Sequence, residues 1–150
     1  MQMTFGMHED RERHQKKTML DEIAQFIDFR KIDQILKGMY TNEGRPPIPP
    51  MILFKTLLLE AWYRLSDVQV VEEIHDRRSF ERFVGEEVRK YYVDDTPLVK
   101  FRNRMREKRR EEKVWAAVEQ SLVEAGVIIR HGTIVDSTMV KDACRRGSNS

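Results

Sequence analysis

Four prolines fall within residues 46–50, in the run Gly44-Arg-Pro-Pro-Ile-Pro-Pro50. Proline fixes its own φ, lacks an N–H and pushes the preceding residue away from helical geometry, so this run excludes the interior of a helix or a sheet. Two readings follow: a polyproline ligand for a partner domain, or a stiff lead-in to the next element. The second is favoured. Pro50 then occupies the first turn of a helix, where a missing N–H costs nothing.

That helix is read from Pro50 to Leu65, with Met51, Ile52, Leu53, Phe54, Leu57, Leu58, Leu59, Ala61 and Trp62 covering most of its circumference. A helix apolar all round is the central one, covered by neighbours. Trp62 and Tyr63 could stack on bases, but core packing is the better reading. The apolar run at 51–59 is broken by Lys55 and is far too short to span a bilayer. With 40% hydrophobic and 35% charged residues and a mean hydropathy of -0.62, the chain reads as charge-rich and cytoplasmic. A lone cysteine, Cys144, excludes an internal disulfide and a cysteine zinc site.

Around the central helix, apolar spacing predicts further helices. Thr18 caps one carrying Leu20, Ile23, Ala24 and Ile27. Asp28 caps the next, with Phe29, Ile32, Ile35 and Leu36 inward and Gly38 at its end. Ser66 and Gln69 form a capping box for a helix burying Val68, Val71 and Ile74. A short helix at 79–84 buries Phe80 and Phe83 and stops at Gly85. Short helices at this spacing suit a helix-turn-helix-like arrangement. Thr96-Pro97 reads as a cap with proline at the first helical position, followed by Leu98, Phe101 and Met105 on one face. Val114, Trp115, Val118, Leu122 and Val123 form a second apolar face ending at Gly126, with a bend or break expected within residues 106–113. From Val127 the residues turn β-branched, predicting strand, turn and strand through Asp136.

Charge is concentrated. The chain carries a net +2, yet residues 100–113 hold eight basic and three acidic residues, a local +5. On a helix continuing past Arg102, the 100° step gathers Arg102, Arg106, Arg109, Arg110 and Lys113 within about one-third of the circumference. Such an arc can neutralise phosphates and reach guanine edges. It can equally be a solvated face partnered by Glu107, Glu111 and Glu112. Arg77, Arg78 and Arg82 are secondary candidates for the same groove.

Several segments in fixed order resemble the insertion-sequence transposases of the DDE superfamily, in the group numbered five, the IS-five group. They are Gly44-Arg-Pro-Pro, Leu57-Leu-Leu-Glu-Ala-Trp-Tyr-Arg-Leu-Ser-Asp67 and Asp76-Arg-Arg-Ser-Phe-Glu-Arg-Phe-Val-Gly85, then Val93-Asp-Asp-Thr-Pro-Leu-Val-Lys-Phe-Arg102 and Gly132-Thr-Ile-Val-Asp-Ser-Thr138. The similarity spans roughly residues 18–140. Departures are Val93 for a proline, Pro97 for a threonine, and a charged run at 107–113 without the usual glycine turn. The resemblance implies a mainly α chain: a flexible segment at 1–17, a helical DNA-binding domain at 18–126, the opening hairpin of a truncated RNase-H-like domain at 127–140, and a disordered tail at 141–150. It also implies that Asp136 is the first of three carboxylates that hold two Mg²⁺ ions at a phosphodiester. With the other two expected beyond residue 140, the fragment is expected to bind no Mg²⁺ alone and to be inactive by itself. Its expected partners are the double-stranded terminal repeats of a transposon and a second copy of the chain. The alternatives are a small helical interaction module with no DNA role, and the upstream half of a frameshifted or complemented transposase.

Overall fold

The computed structural model describes residues 18–40, 48–92, 94–130 and 133–136. Seven α-helices precede a two-stranded antiparallel pair among these residues: α1 (Met19–Phe26), α2 (Phe29–Lys37), α3 (Pro50–Tyr63), α4 (Asp67–Asp76), α5 (Arg78–Val84), α6 (Thr96–Glu107) and α7 (Glu111–Ala125), then β1 (Val127–Arg130) and β2 (Thr133–Asp136). A 3-10 turn at Glu86–Lys90 lies between α5 and α6. None of the described helices is long and apolar enough to cross a membrane. The expectations for residues 1–17, 44–47 and 141–150 and for the turn at 131–132 lie outside the described residues.

The hub is α3. It packs against α2, α4, α5 and α6, which is why its apolar residues surround it rather than forming a stripe. Leu53, Phe54, Leu58 and Leu59 are fully buried. Thr56 is buried too. Its hydroxyl donates to the Ile52 carbonyl and accepts from the Tyr92 hydroxyl at 3.0 Å, which ties the segment before α6 to the hub. Trp62 and Tyr63 are half-buried against the core, packing on Phe83 and Phe80.

Local chemistry sets the helix starts. The Thr18 N–H and hydroxyl both donate to Asp21, and Asp28 accepts from the Lys31 N–H. Ser66 and Gln69 exchange bonds as a capping box. Three expectations shift. In α4 it is Val70, with Val71 and Ile74, that is buried, while Val68 is 54% exposed, because the side of the helix that packs on α3 and α5 carries Val70 and Ile74. In α6 Thr96 is already helical and Pro97 is second. Asp94 accepts the Thr96 N–H and so fills the capping role given to Thr96. On α7 Val123 faces outward at 70% exposure, and Ala117 and Ser121 complete the buried face.

Gly126, at φ 71, ends α7 in the left-handed region that favours glycine. β1 then packs on α7 and β2 on α1, with Val127 opposite Asp136 and Arg130 opposite Thr133.

Candidate nucleic-acid interface

The basic segment does not form one helix. α6 ends at Glu107, Arg109 adopts φ 54, and α7 begins at Glu111. The arc drawn from Arg102 to Lys113 on a continuous helix is therefore not formed. The charged run offers no apolar contact to hold a straight helix there, and the chain turns at Lys108–Arg110.

Arg102 faces inward. Its guanidinium donates to both oxygens of Asp67, one bond measuring 3.1 Å, and to Glu60 at 2.8 Å, with only 22% of the side chain exposed. These acids project from the end of α3 and the start of α4, so Arg102 joins three helices. Its pKa is raised further, chiefly by the bond to Asp67. Asp67 is lowered, first by that same bond. Glu60 moves the other way, to about 7. Burial dominates, and the neighbouring Asp67 adds to it against the pull of Arg102. Its second oxygen is buried with no hydrogen-bond partner among the described residues.

The remaining sequence candidates are scattered. Arg106 is 60% exposed and 3.4 Å from Glu111 across the turn. Arg109 and Lys113 are exposed, and Arg110 is half-buried against Gly38. Arg77 pairs with Glu73 and lies over the Phe80 ring, Arg78 is exposed, and Arg82 pairs with Asp21 at 3.2 Å. These last three belong to α5 and the residue before it. α5 packs on α1, α3 and α4, whereas α6 packs on α3 and α7, so the two basic groups sit on different parts of the molecule.

The other flank of α6 carries a set that the arc passed over. Lys100, Arg104 and Lys108 recur at every fourth position, so they form a stripe along the helix with successive members about 6 Å apart along its axis. Lys100 and Lys108 are exposed. Arg104 is half-buried, its guanidinium 4.4 Å from the centre of the Tyr40 ring. The stripe runs into the turn that presents Arg109. The four-residue spacing was the available signal. Tyr40 gave none, since it precedes the proline run and lies on no predicted helix.

Beside this stripe is a cleft of about 370 Å³ between Tyr40, Leu53 and α6, lined also by Asp94, Pro97, Lys100, Phe101 and Arg104.

Asp136 is the last residue of β2. Its side chain is outside the described set. Among the described residues no three His, Cys, Asp or Glu side chains converge as a metal-binding group.

Residues 8–104 match the family described as "Transposase domain (DUF772)", which is more than half of the chain. The chain belongs to this transposase-domain family. No solved structure matches it.

Proposed function

We propose that this chain is the DNA-holding part of a transposase, gripping duplex DNA through the basic flank of α6 and the turn that follows it. Arg109 is the observation that carries the reading. It occupies the left-handed region at an exposed turn, where glycine would avoid a steric cost on the order of 1 kcal/mol. A long cation kept there, next to Lys108 and at the end of a stripe of Lys100 and Arg104, suits a surface built for phosphates. Membership of a transposase family supplies the polymer. Duplex DNA carries the phosphates that such a stripe would neutralise.

The finer assignment follows the IS-five resemblance. The segment Gly132-Thr-Ile-Val-Asp-Ser-Thr138 supports reading β1 and β2 as the opening hairpin of an RNase-H-like sheet, with Asp136 as its first carboxylate. On this reading the helical domain is the DNA reader, and the target is the repeat at a transposon end.

Fluorescence anisotropy with a short labelled duplex tests the grip. Binding should weaken steeply as salt rises, and replacing Lys100, Lys108 and Arg109 together by glutamine should abolish it at moderate salt. Equal binding by parent and triple variant would refute this surface as the DNA contact.

A further inference from the structure

We propose that the cleft between Tyr40 and α6 takes one unpaired nucleotide of the bound DNA, its base against the Tyr40–Arg104 pair and its phosphate on Lys100. The proposal rests on the duplex-binding reading, because the cleft shares Lys100 and Arg104 with the basic stripe.

The geometry offers three kinds of contact side by side. The Arg104 guanidinium already lies over the Tyr40 ring, 4.4 Å from cation to ring centre, and a base is a further flat π-system that such a pair can take. Leu53, Pro97 and Phe101 give apolar walls. Lys100 is an exposed ammonium at the rim, and Asp94 is a carboxylate held in place by accepting the Thr96 N–H at 2.9 Å. A carboxylate is an acceptor for the exocyclic amino group of a base.

Simpler ligands use only part of this set. A phosphate ion would leave the apolar walls unused, and a hydrocarbon would bury against two cations. A nucleotide matches both halves. The volume of about 370 Å³ is at the low end of the roughly 300–1,000 Å³ of small-ligand sites, so it suits one residue of a polymer rather than a helix or a groove edge. Bases inside a duplex are stacked and paired. The nucleotide must therefore come from an end, a nick or a distorted step, where unstacking costs least.

The test uses the full 150-residue chain and three labelled DNAs: a blunt duplex, the same duplex with a short single-stranded overhang, and that overhang carrying abasic sites. The overhang duplex should bind roughly tenfold more tightly than either of the others, as expected for one stacked base. Tyr40→Leu should erase that preference and Tyr40→Trp should retain it, the preference being the ratio of overhang to blunt-duplex affinity of each protein. Lys100→Gln, at an exposed position that leaves the core untouched, should reduce the preference as well. Equal binding of the overhang and abasic DNAs by the parent overturns the proposal while leaving the duplex reading intact. So does a preference that survives Tyr40→Leu. Failure to bind any of the three DNAs removes the duplex reading itself, and the cleft proposal with it.

Discussion

One Nη of Arg110 stands 3.0 Å from the point that a Cβ on Gly38 would occupy, so the glycine at the end of α2 and the arginine after α6 share a single space. Gly38 has φ −66 and ψ −13, a conformation open to any residue. Clearance, not backbone freedom, is what glycine supplies there. The guanidinium meets the carbonyl end of α2, where a cation is favoured by the helix dipole, and its Nε is buried with no hydrogen-bond partner among the described residues. This contact seats the α6–α7 turn against α2.

A double-mutant cycle should expose that contact. Alanine in place of a glycine with ordinary φ and ψ stabilises a fold by about 0.4–1 kcal/mol through the unfolded chain. Gly38→Ala should show that gain in an Arg110→Ala background. In the parent the gain should vanish or reverse, because the methyl must displace the guanidinium. Urea denaturation of the four proteins gives the coupling directly. Additive effects would mean that the two residues touch without consequence.

Arg109→Gly separates stability from binding. Relief of the left-handed arginine should raise stability by about 1 kcal/mol. DNA affinity should fall at the same time, with the salt dependence reduced by roughly one counterion. A variant both more stable and equally tight would reduce Arg109 to an ordinary turn residue.

What the sequence conveyed well was local. Proline at the start of α3, the Ser66–Gln69 box and the glycine stop at Gly126 act within a few residues, and the apolar periodicities of α1, α2 and α6 describe faces that the helices bury. What it conveyed poorly was partnership at a distance. Arg102 and Arg104 are alike in sequence and about 200° apart on the helix. Which of them turns inward depends on Glu60 and Asp67, which lie 42 and 35 positions earlier. Periodicity measured the width of an arc but could not register that its first arginine was already occupied. Val68 fails for a related reason: it and Ile74 lie about 60° either side of Val71, and only packing on α3 and α5 decides that the Ile74 and Val70 side goes inward.

The Glu60 carboxyl should make stability depend on pH near neutrality. Its folded pKa of about 7 lies above the ordinary value of 4.5, so the folded chain holds a proton that the unfolded chain releases. That contribution is fully present below about pH 4.5 and is lost as pH rises through 7. Asp67, shifted downward, acts oppositely at acid pH, and the two titrate as a pair across Arg102. Glu60→Gln imitates the protonated acid. It should match the parent at pH 5 and exceed it at pH 8 by on the order of 1 kcal/mol. Thermal melts from pH 5 to 8 test this, and parallel curves for parent and variant would rule it out.

The two flanks of α6 should answer differently to loss of charge. Lys100→Gln and Lys108→Gln remove exposed cations of the stripe, so each should leave the melting temperature nearly unchanged. Each should also lower the slope of log affinity against log salt by about 0.9, the value for one phosphate contact on a duplex. Arg102→Gln removes the shared partner of two acids that are only 20% and 23% exposed. It leaves Glu60 and Asp67 facing each other without a cation, so it should destabilise the fold by about 1–3 kcal/mol, a range discounted for partial exposure. DNA bound by the folded fraction should keep the parental salt slope, since Arg102 points away from the stripe. Denaturation and salt titration on the same preparations separate the outcomes. If Arg102→Gln proved as stable as the parent and lost one counterion from its slope, Arg102 would belong to the DNA contact, and the stripe of Lys100, Arg104 and Lys108 would be only a solvated face.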